Sequence, residues 1–162
     1  DNIVSYLSSL FSSGSLTEEQ ATQTAGMMYI LSDIERTDAL CTEATESLQS
    51  ILEKKHKLSP EAVEDLCQGL QIIEDMYQNV LEVIRTGNGE DARKIVHKKD
   101  NVLDLTLKLR KNHMKRVKQG ACDAEMTSDF TRILHSFDRI GNSCANIADA
   151  ALTGVSFESV LK

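Results

Sequence analysis

The chain has 162 residues, enough for one domain or two small halves that share an interface, and long enough to bury a core without disulfides. Aromatic residues make up 4% of the sequence and proline occurs once, which disfavours a β-sandwich or barrel and favours an all-α fold. The formal net charge is -7 with acids and bases mostly interspersed, so a nucleic acid, whose phosphate backbone repels acidic chains, is disfavoured as a partner.

Apolar periodicity and capping residues predict five helices, with approximate ranges 1–12, 17–57, 59–87, 90–119 and 123–152. The second begins with a capping box, in which the side chains of Thr17 and Gln20 can each satisfy a free backbone N–H. The third begins with Ser59 as N-cap and Pro60 at its first position, and Gly87 ends it. No apolar run reaches the roughly 20 residues that cross a bilayer, so direct membrane insertion is not expected.

Apolar stripes run along three of these helices at steps of three and four residues. The second helix carries Met27, Ile30, Ile34, Thr37, Cys41, Ala44, Leu48 and Ile51. The third carries Val63, Leu66, Leu70, Ile73, Tyr77, Val80 and Ile84. The fifth carries Met126, Phe130, Ile133, Phe137, Ile140, Cys144, Ile147 and Ala151. Sustained repeats of this kind predict long helices packed side by side, in an antiparallel bundle with short loops.

Cysteine, glycine and lysine positions add three local expectations. No Cys-x-x-Cys spacing occurs, and Cys41 and Cys144 fall on the stripes, which indicates reduced, buried thiols in a cytosolic compartment. Gly141 interrupts the fifth helix where alanine would be about 1 kcal/mol better, which indicates close approach of a neighbouring helix. The basic run KLRKNHMKRVK at 108–118 could contact a lipid headgroup or an anion, but a solvated helix face is the preferred interpretation.

The second and fifth helices repeat one pattern. Their stripes superimpose at an offset of 103 positions, which places Cys41 on Cys144. The polar pair beside the stripe repeats as well, Glu35-Arg36 matching Asp138-Arg139. A repeat at fixed spacing implies one supersecondary unit used twice.

The repeat predicts the organisation of the chain. We expect a truncated first unit of two helices in 1–58, a complete second unit of three helices in 59–154 and a short tail in 155–162. Together the units should form one helical domain. Because Asp1 corresponds to the middle of the fourth helix, we also expect the parent protein to be longer at its N-terminus.

The repeated string carries a resemblance to a known family. FDRIGNSCANIADAAL, residues 137–152, resembles the last helix of the PhoU domain, the phosphate-uptake regulator family, and SDIERTDALCTEATESL, residues 32–48, is a weaker match. The resemblance covers residues 1 to 152 and implies a bundle of tandem three-helix units. An incomplete, acidic pair of units is most similar to the cytoplasmic C-terminal PhoU-like domain of bacterial sodium/phosphate cotransporter family proteins.

The resemblance also implies a metal site. In the PhoU family, acids four residues apart on adjacent helices bind metal clusters, because positions i and i+4 share a helical face. Here Asp100 and Asp104 keep one such pair, whereas Glu35 faces Ala39 in the first unit. A divalent or iron-type metal ion is therefore predicted at the second unit, with candidate ligands Asp100, Asp104, Asp138, Asn142, His97 and Asn146. The alternative is that these acids form surface ion pairs with Arg139 and the basic run.

The function implied is that of a non-enzymatic regulatory domain of a sodium-dependent phosphate transporter, at the cytoplasmic face of the bacterial inner membrane. Its partner would be the membrane-embedded portion of the same parent chain, and a homodimer is also compatible with the pattern. The alternatives are a free-standing PhoU-type phosphate-signalling protein and a purely structural helical interaction module. Glu53 and His56 have the spacing of a di-iron motif, but the second copy that this chemistry needs is missing, so no catalytic residues are assigned.

Overall fold

The computed structural model describes residues 2–152, which form five α-helices and one short 3-10 turn. The elements are α1 (Asn2–Ser12), α2 (Glu18–Glu53), α3 (Pro60–Thr86), α4 (Gly89–Lys118), the 3-10 turn (Ala124–Met126) and α5 (Thr127–Leu152). No strand occurs within residues 2–152, and the predicted all-α fold of about five helices is confirmed. Asp1 and the predicted tail at 155–162 lie outside the described residues.

Helices α2 and α3 begin, and α3 ends, where the capping residues predict. Thr17 Oγ1 accepts a hydrogen bond from the Gln20 N–H at 3.2 Å, and Gln20 Oε1 accepts one from the Thr17 N–H at 3.0 Å, which completes the capping box of α2. At the start of α3, Ser59 Oγ accepts a hydrogen bond from the Ala62 N–H at 3.3 Å, with Pro60 in the first turn. Gly87 ends α3 with φ at 67°, a left-handed conformation that glycine adopts without steric cost.

The end of α2 differs from the prediction. The helix was expected to continue to about Lys57 but ends at Glu53. Lys55 adopts a left-handed conformation with φ at 53°, and the His56 N–H donates to the Ile51 carbonyl oxygen at 3.2 Å. This is the bonding pattern of a Schellman motif, which usually contains glycine. Because lysine fills the left-handed position here, no glycine marks the end of the helix in the sequence.

α5 is the central helix, since it packs against α2, α3 and α4, whereas α1 packs against α2. Its buried residues lie around most of its circumference, as expected of a helix enclosed by neighbours. They include Phe130, Ile133, Leu134, Phe137, Ile140, Gly141, Cys144, Ile147 and Ala148. The apolar stripe predicted for α5 is therefore buried from Met126 to Ile147, and Ala151 is half-buried.

Polar pairs fix the antiparallel register of α2 against α5. Ser50 donates a hydrogen bond to Asp129 Oδ2 at 2.8 Å, and Ser143 donates one to Asp33 Oδ1 at 3.0 Å, so position numbers rise along α2 as they fall along α5. Both carboxylates are buried. Arg36 and Lys54 lie 3.5 Å from Asp33 and Asp129 respectively. Because a buried carboxylate without partners is costly, these contacts favour this register over its neighbours.

The predicted close approach at Gly141 is confirmed. A Cβ placed on Gly141 would lie 3.2 Å from Val102 Cγ1 on α4, tighter than an ordinary van der Waals contact. Val102 itself is fully buried. The glycine therefore allows α4 and α5 to pack closely at this turn, which offsets its low helix propensity.

The apolar stripes predicted for α2 and α3 are partly wrong, because each buried face is rotated toward the preceding residues. Five stripe positions are buried as predicted, namely Ile30, Thr37, Ile51, Ile73 and Val80. On α2, Leu40 and Ser47 are buried, whereas Cys41 and Leu48 are exposed. On α3, the buried positions are Ala62, Gly69, Ile73, Met76, Val80 and Val83. Small or polar side chains such as Ser47 and Gly69 occupy core positions, and the larger Leu48 and Leu70 point outward. The expectation of buried thiols holds for Cys122 and Cys144 and is wrong for Cys41 and Cys67.

Candidate functional site

The predicted metal ligands lie on α4 and α5. On α4, His97, Asp100 and Asp104 are exposed. On α5, Asn146 is exposed, and Asp138 and Asn142 are partly buried, with Asn142 Nδ2 donating to the Asp138 backbone carbonyl at 2.8 Å. Within residues 2–152, no three His, Cys, Asp or Glu side chains lie close enough together to hold a metal ion. The structure therefore does not gather the acids of the predicted set, and metal binding stays a prediction.

The motif positions of the repeated string are on the surface. Glu35, Arg36 and Arg139 are exposed. Arg36 lies 3.5 Å from the buried carboxylate of Asp33 one turn before it. Arg36 thus places a positive charge beside the carboxylate that accepts a hydrogen bond from Ser143 on α5.

An apolar groove lies between α2 and α3, with α5 as its floor. Its upper part has a volume of 580 Å³ and is lined by Ile34, Thr37, Asp38, Cys41, Leu70, Ile73, Glu74, Tyr77 and Ile140. Its lower part has a volume of 370 Å³ and is lined by Ala44, Thr45, Leu48, Leu52, Leu58, Val63, Leu66, Cys67, Leu70, Ile133 and Phe137. Leu70 lines both parts, so they are adjacent, and together they are called the α2–α3 groove below.

The α2–α3 groove is mainly apolar in both parts, and its upper part also contains acidic side chains. Asp38 on the α2 wall and Glu74 on the α3 wall both line the upper part, and no basic side chain is among the lining residues. The lower part is lined by large apolar side chains that are open to solvent. Examples are Leu48, Val63 and Leu70, with exposed fractions of 38%, 45% and 55%. Exposed apolar surface in a concave site is typical of protein or ligand contact surfaces.

Two of the four thiols line this groove. Cys41 lies in its upper part and Cys67 in its lower part, and both are exposed. Partial burial, and to a lesser degree the Asp38 carboxylate, raise the pKa of Cys41. In contrast, burial together with the nearby Asp33 raises the pKa of Cys144 to about 12. A thiol reagent can therefore reach the two groove thiols, and their reaction rate shows whether the groove is covered. Cys144 is buried and stays protonated at neutral pH, so it does not react.

Sequence reasoning placed these groove residues in the core. Cys41, Leu48, Val63 and Leu70 were assigned to buried stripes, because an apolar side chain at helical spacing is most often buried. The available signal was the small residue beside each large one, for example Gly69 before Leu70. A glycine or serine at the buried position allows close packing, and its larger neighbour then faces outward.

Comparison with known families identifies the class of the protein. The PhoU domain family model matches residues 66–151, which extend from the first turns of α3 through α4 to the last turn of α5. The match covers more than half of the chain, and the chain belongs to the PhoU domain family. No curated protein matches it. α1 and α2 lie outside the matched range.

Family membership connects the chain with phosphate-related regulation, the role of the PhoU domain. The family is regulatory rather than catalytic. Among residues 2–152, no helix is both long enough and apolar enough to span a bilayer.

Proposed function

We propose that the chain is the regulatory PhoU-like domain of a sodium-dependent phosphate transporter, acting without catalysis at the cytoplasmic face of a bacterial inner membrane. It tunes transport by packing the α2–α3 groove against a helical segment of the membrane-embedded portion. The observation that carries the proposal is the PhoU match over 66–151, because this range contains most of the α3 wall and the α5 floor of the groove.

The chemistry of the groove favours a protein segment over phosphate itself. Its walls are mostly apolar, and the carboxylates of Asp38 and Glu74 would repel an anion. An apolar groove between two helices suits the apolar face of an amphipathic helix, which presents side chains at steps of three and four residues. The two carboxylates would pair with a lysine or arginine on that helix. Phosphate status is therefore proposed to reach the domain through its partner.

The proposal is tested by introducing charged side chains on the walls of the groove. In the cells that make this protein, the chromosomal copy is replaced by a Leu48→Glu/Leu70→Glu variant, which places one carboxylate on each wall. Both leucines are more than a third exposed, so the substitution leaves the core intact, and circular dichroism of the purified variant checks this. We expect sodium-dependent uptake of radiolabelled phosphate to stop responding to a shift from phosphate-rich to phosphate-poor medium.

A control variant tests whether the effect is specific to the groove or follows from any added surface charge. Leu81→Glu changes an α3 leucine that is 44% exposed and is not among the groove-lining residues, and it should leave the response unchanged. A folded groove variant with a normal phosphate response contradicts the proposal. If the response is lost only in uptake that does not require sodium, the free-standing signalling alternative replaces the cotransporter assignment.

A further inference from the structure

The C-terminal half of α4 presents a basic outward face in an acidic protein. Between Leu105 and Cys122 the sequence contains no Asp or Glu. Five exposed basic residues fall in this stretch, and four of them follow steps of three and four residues along one face of the helix. They are Lys108, Arg110, Lys111, Lys115 and Lys118. We refer to this set as the α4 basic face.

These cations are not used to hold the fold together. None of the five forms an ion pair with any residue between 2 and 152. Their neighbour Arg116 shows the contrast, because its Nη2 lies 2.7 Å from Asp65 Oδ2 on α3 and the pair is largely buried. Favourable interaction with the helix dipole accounts for basic residues in the last turn only, and Lys108 and Lys111 lie further back. The basic face thus lacks a structural explanation.

Large apolar side chains accompany the α4 basic face. Leu103, Leu107 and Met114 lie at steps of four and seven residues, so they share one side of the helix. Their exposed fractions are 44%, 52% and 42%. A nucleic acid backbone would use the charges but gains nothing from an apolar row. A row of apolar side chains flanked by lysines is typical of helices that lie in a membrane interface.

We propose that the α4 basic face lies against the anionic headgroups of a phospholipid bilayer. Lysine side chains extend their ammonium groups to lipid phosphates while their methylene stems rest on apolar surface. Leu107 and Met114 then enter the boundary between headgroups and acyl chains. This inference depends on α4 alone, and it holds whether or not the α2–α3 groove is the regulatory surface.

Vesicle co-sedimentation of the purified chain tests the proposal. The wild-type chain should bind vesicles of phosphatidylglycerol mixed with phosphatidylcholine and should not bind vesicles of phosphatidylcholine alone. Binding should weaken as salt is raised to about 0.5 M, because salt screens surface charges. The Lys111→Glu/Lys115→Glu variant should bind at least about tenfold more weakly, since each basic residue near an anionic surface contributes separately.

Two further variants test whether binding depends on the α4 basic face and its apolar row, or only on the net charge of the protein. Lys55→Glu/Arg93→Glu makes the same change in net charge at exposed positions outside the α4 basic face, and its affinity should stay within about threefold of wild type. Leu107→Ser/Met114→Ser keeps every charge and should bind at least about fivefold more weakly, because interfacial affinity also depends on apolar area. Failure of the wild-type chain to bind anionic vesicles overturns the proposal. So does a Leu107→Ser/Met114→Ser variant that binds like wild type, which would point to another polyanion.

Discussion

The ring of Phe137 on α5 lies directly over Gly69 on α3, so that a Cβ at position 69 would come within 2.7 Å of the ring carbon Cδ2. Real Cβ atoms do not approach this closely, and Phe137 is itself buried, so the ring or one of the two helices would have to shift. Gly69 therefore sets the distance between α3 and α5, and hence the width of the α2–α3 groove above them.

Replacing this glycine with alanine should destabilise the protein. Overpacking destabilises a folded protein by about 1–3 kcal/mol, and the better helix propensity of alanine stabilises it by at most about 1 kcal/mol. Gly69→Ala should therefore lower the free energy of unfolding by about 1–2 kcal/mol. Urea denaturation monitored by circular dichroism measures the change.

Gly141→Ala is the matched comparison for Gly69→Ala. Its Cβ would meet Val102 at 3.2 Å, where a small adjustment of α4 suffices. We expect a stability within about 1 kcal/mol of wild type. If Gly69→Ala were as stable as Gly141→Ala, the placement of Phe137 over Gly69 would be wrong.

Thiol accessibility should divide the four cysteines into two pairs. Cys41 and Cys67 are exposed, whereas Cys122 and Cys144 are buried. A maleimide or disulfide reagent should modify two thiols in the native protein and four in denaturant, because the thiolate is the reactive form and must also be reached by the reagent. Mass spectrometry of the alkylated peptides identifies the sites. Rapid modification of Cys144 in native protein would contradict its burial.

The acid at position 38 should slow the reaction of Cys41. Because the Asp38 carboxylate raises the pKa of Cys41, Asp38→Asn should lower that pKa and increase the alkylation rate at mildly alkaline pH. Burial is the larger cause of the raised pKa and is unchanged by the substitution, so the increase should be modest. The rate at Cys67 serves as the internal reference, and an equal change at both thiols would exclude a local effect.

Stability should fall in mild acid because of His113. The imidazole is fully buried, stacks on Phe130 with ring centroids 4.2 Å apart, and places Nε2 3.2 Å from Thr127 Oγ1. Burial, and then the nearby Arg116, lower the pKa of His113 below its ordinary value of 6.5. The unfolded chain therefore binds a proton before the folded chain does. The contribution to stability is complete above pH 6.5 and is lost as the pH falls below it.

Urea midpoints measured between about pH 8 and pH 5 test this assignment. His113→Phe keeps an aromatic ring against Phe130 but cannot take up a proton, so part of the decline below pH 6.5 should disappear. His97→Gln removes an exposed imidazole and should keep the wild-type decline. A His113→Phe profile parallel to wild type would show that other groups control the acid sensitivity.

Metal binding, predicted from the sequence, is tested by elemental analysis of protein purified without chelators. A divalent or iron-type ion should accompany the wild-type chain and be lost from Asp100→Ala/Asp104→Ala, because those carboxylates are its predicted charged ligands on α4. Glu46→Ala/Glu64→Ala removes two exposed acids elsewhere and should retain the ion. Equal metal content in all three proteins, including none, would contradict the predicted site.

The parts of the fold that follow local rules could be predicted from the sequence. The capping box of α2, Pro60 and Gly87 follow rules that act within one turn. The α5 stripe is clear because α5 is enclosed on several sides. The rotation of α2 and α3 could not be predicted, because it depends on which small residues meet α5. Gly69 against Phe137 is such a contact between distant positions, and a single-helix pattern does not contain it.

The candidate site could not be predicted from the sequence, because it also depends on contacts between distant positions. A rotation of about one residue moved Cys41 and Leu70 from the expected core to the wall of a groove. The predicted metal ligands share helical faces along α4 and α5, but sharing a face does not decide whether two helices turn those faces toward each other.

The central claim is that the α2–α3 groove is the contact surface through which this PhoU-family domain acts on phosphate transport. Alkylation of Cys41 and Cys67 tests it most directly, because both thiols line the groove. Their rates are compared in the purified chain and in membranes from the cells that make it, each normalised to denatured protein. We predict that both thiols are protected in the membranes and reactive in the purified chain. Equal rates in the two preparations would show that the groove is open to solvent in the cell and would contradict the claim.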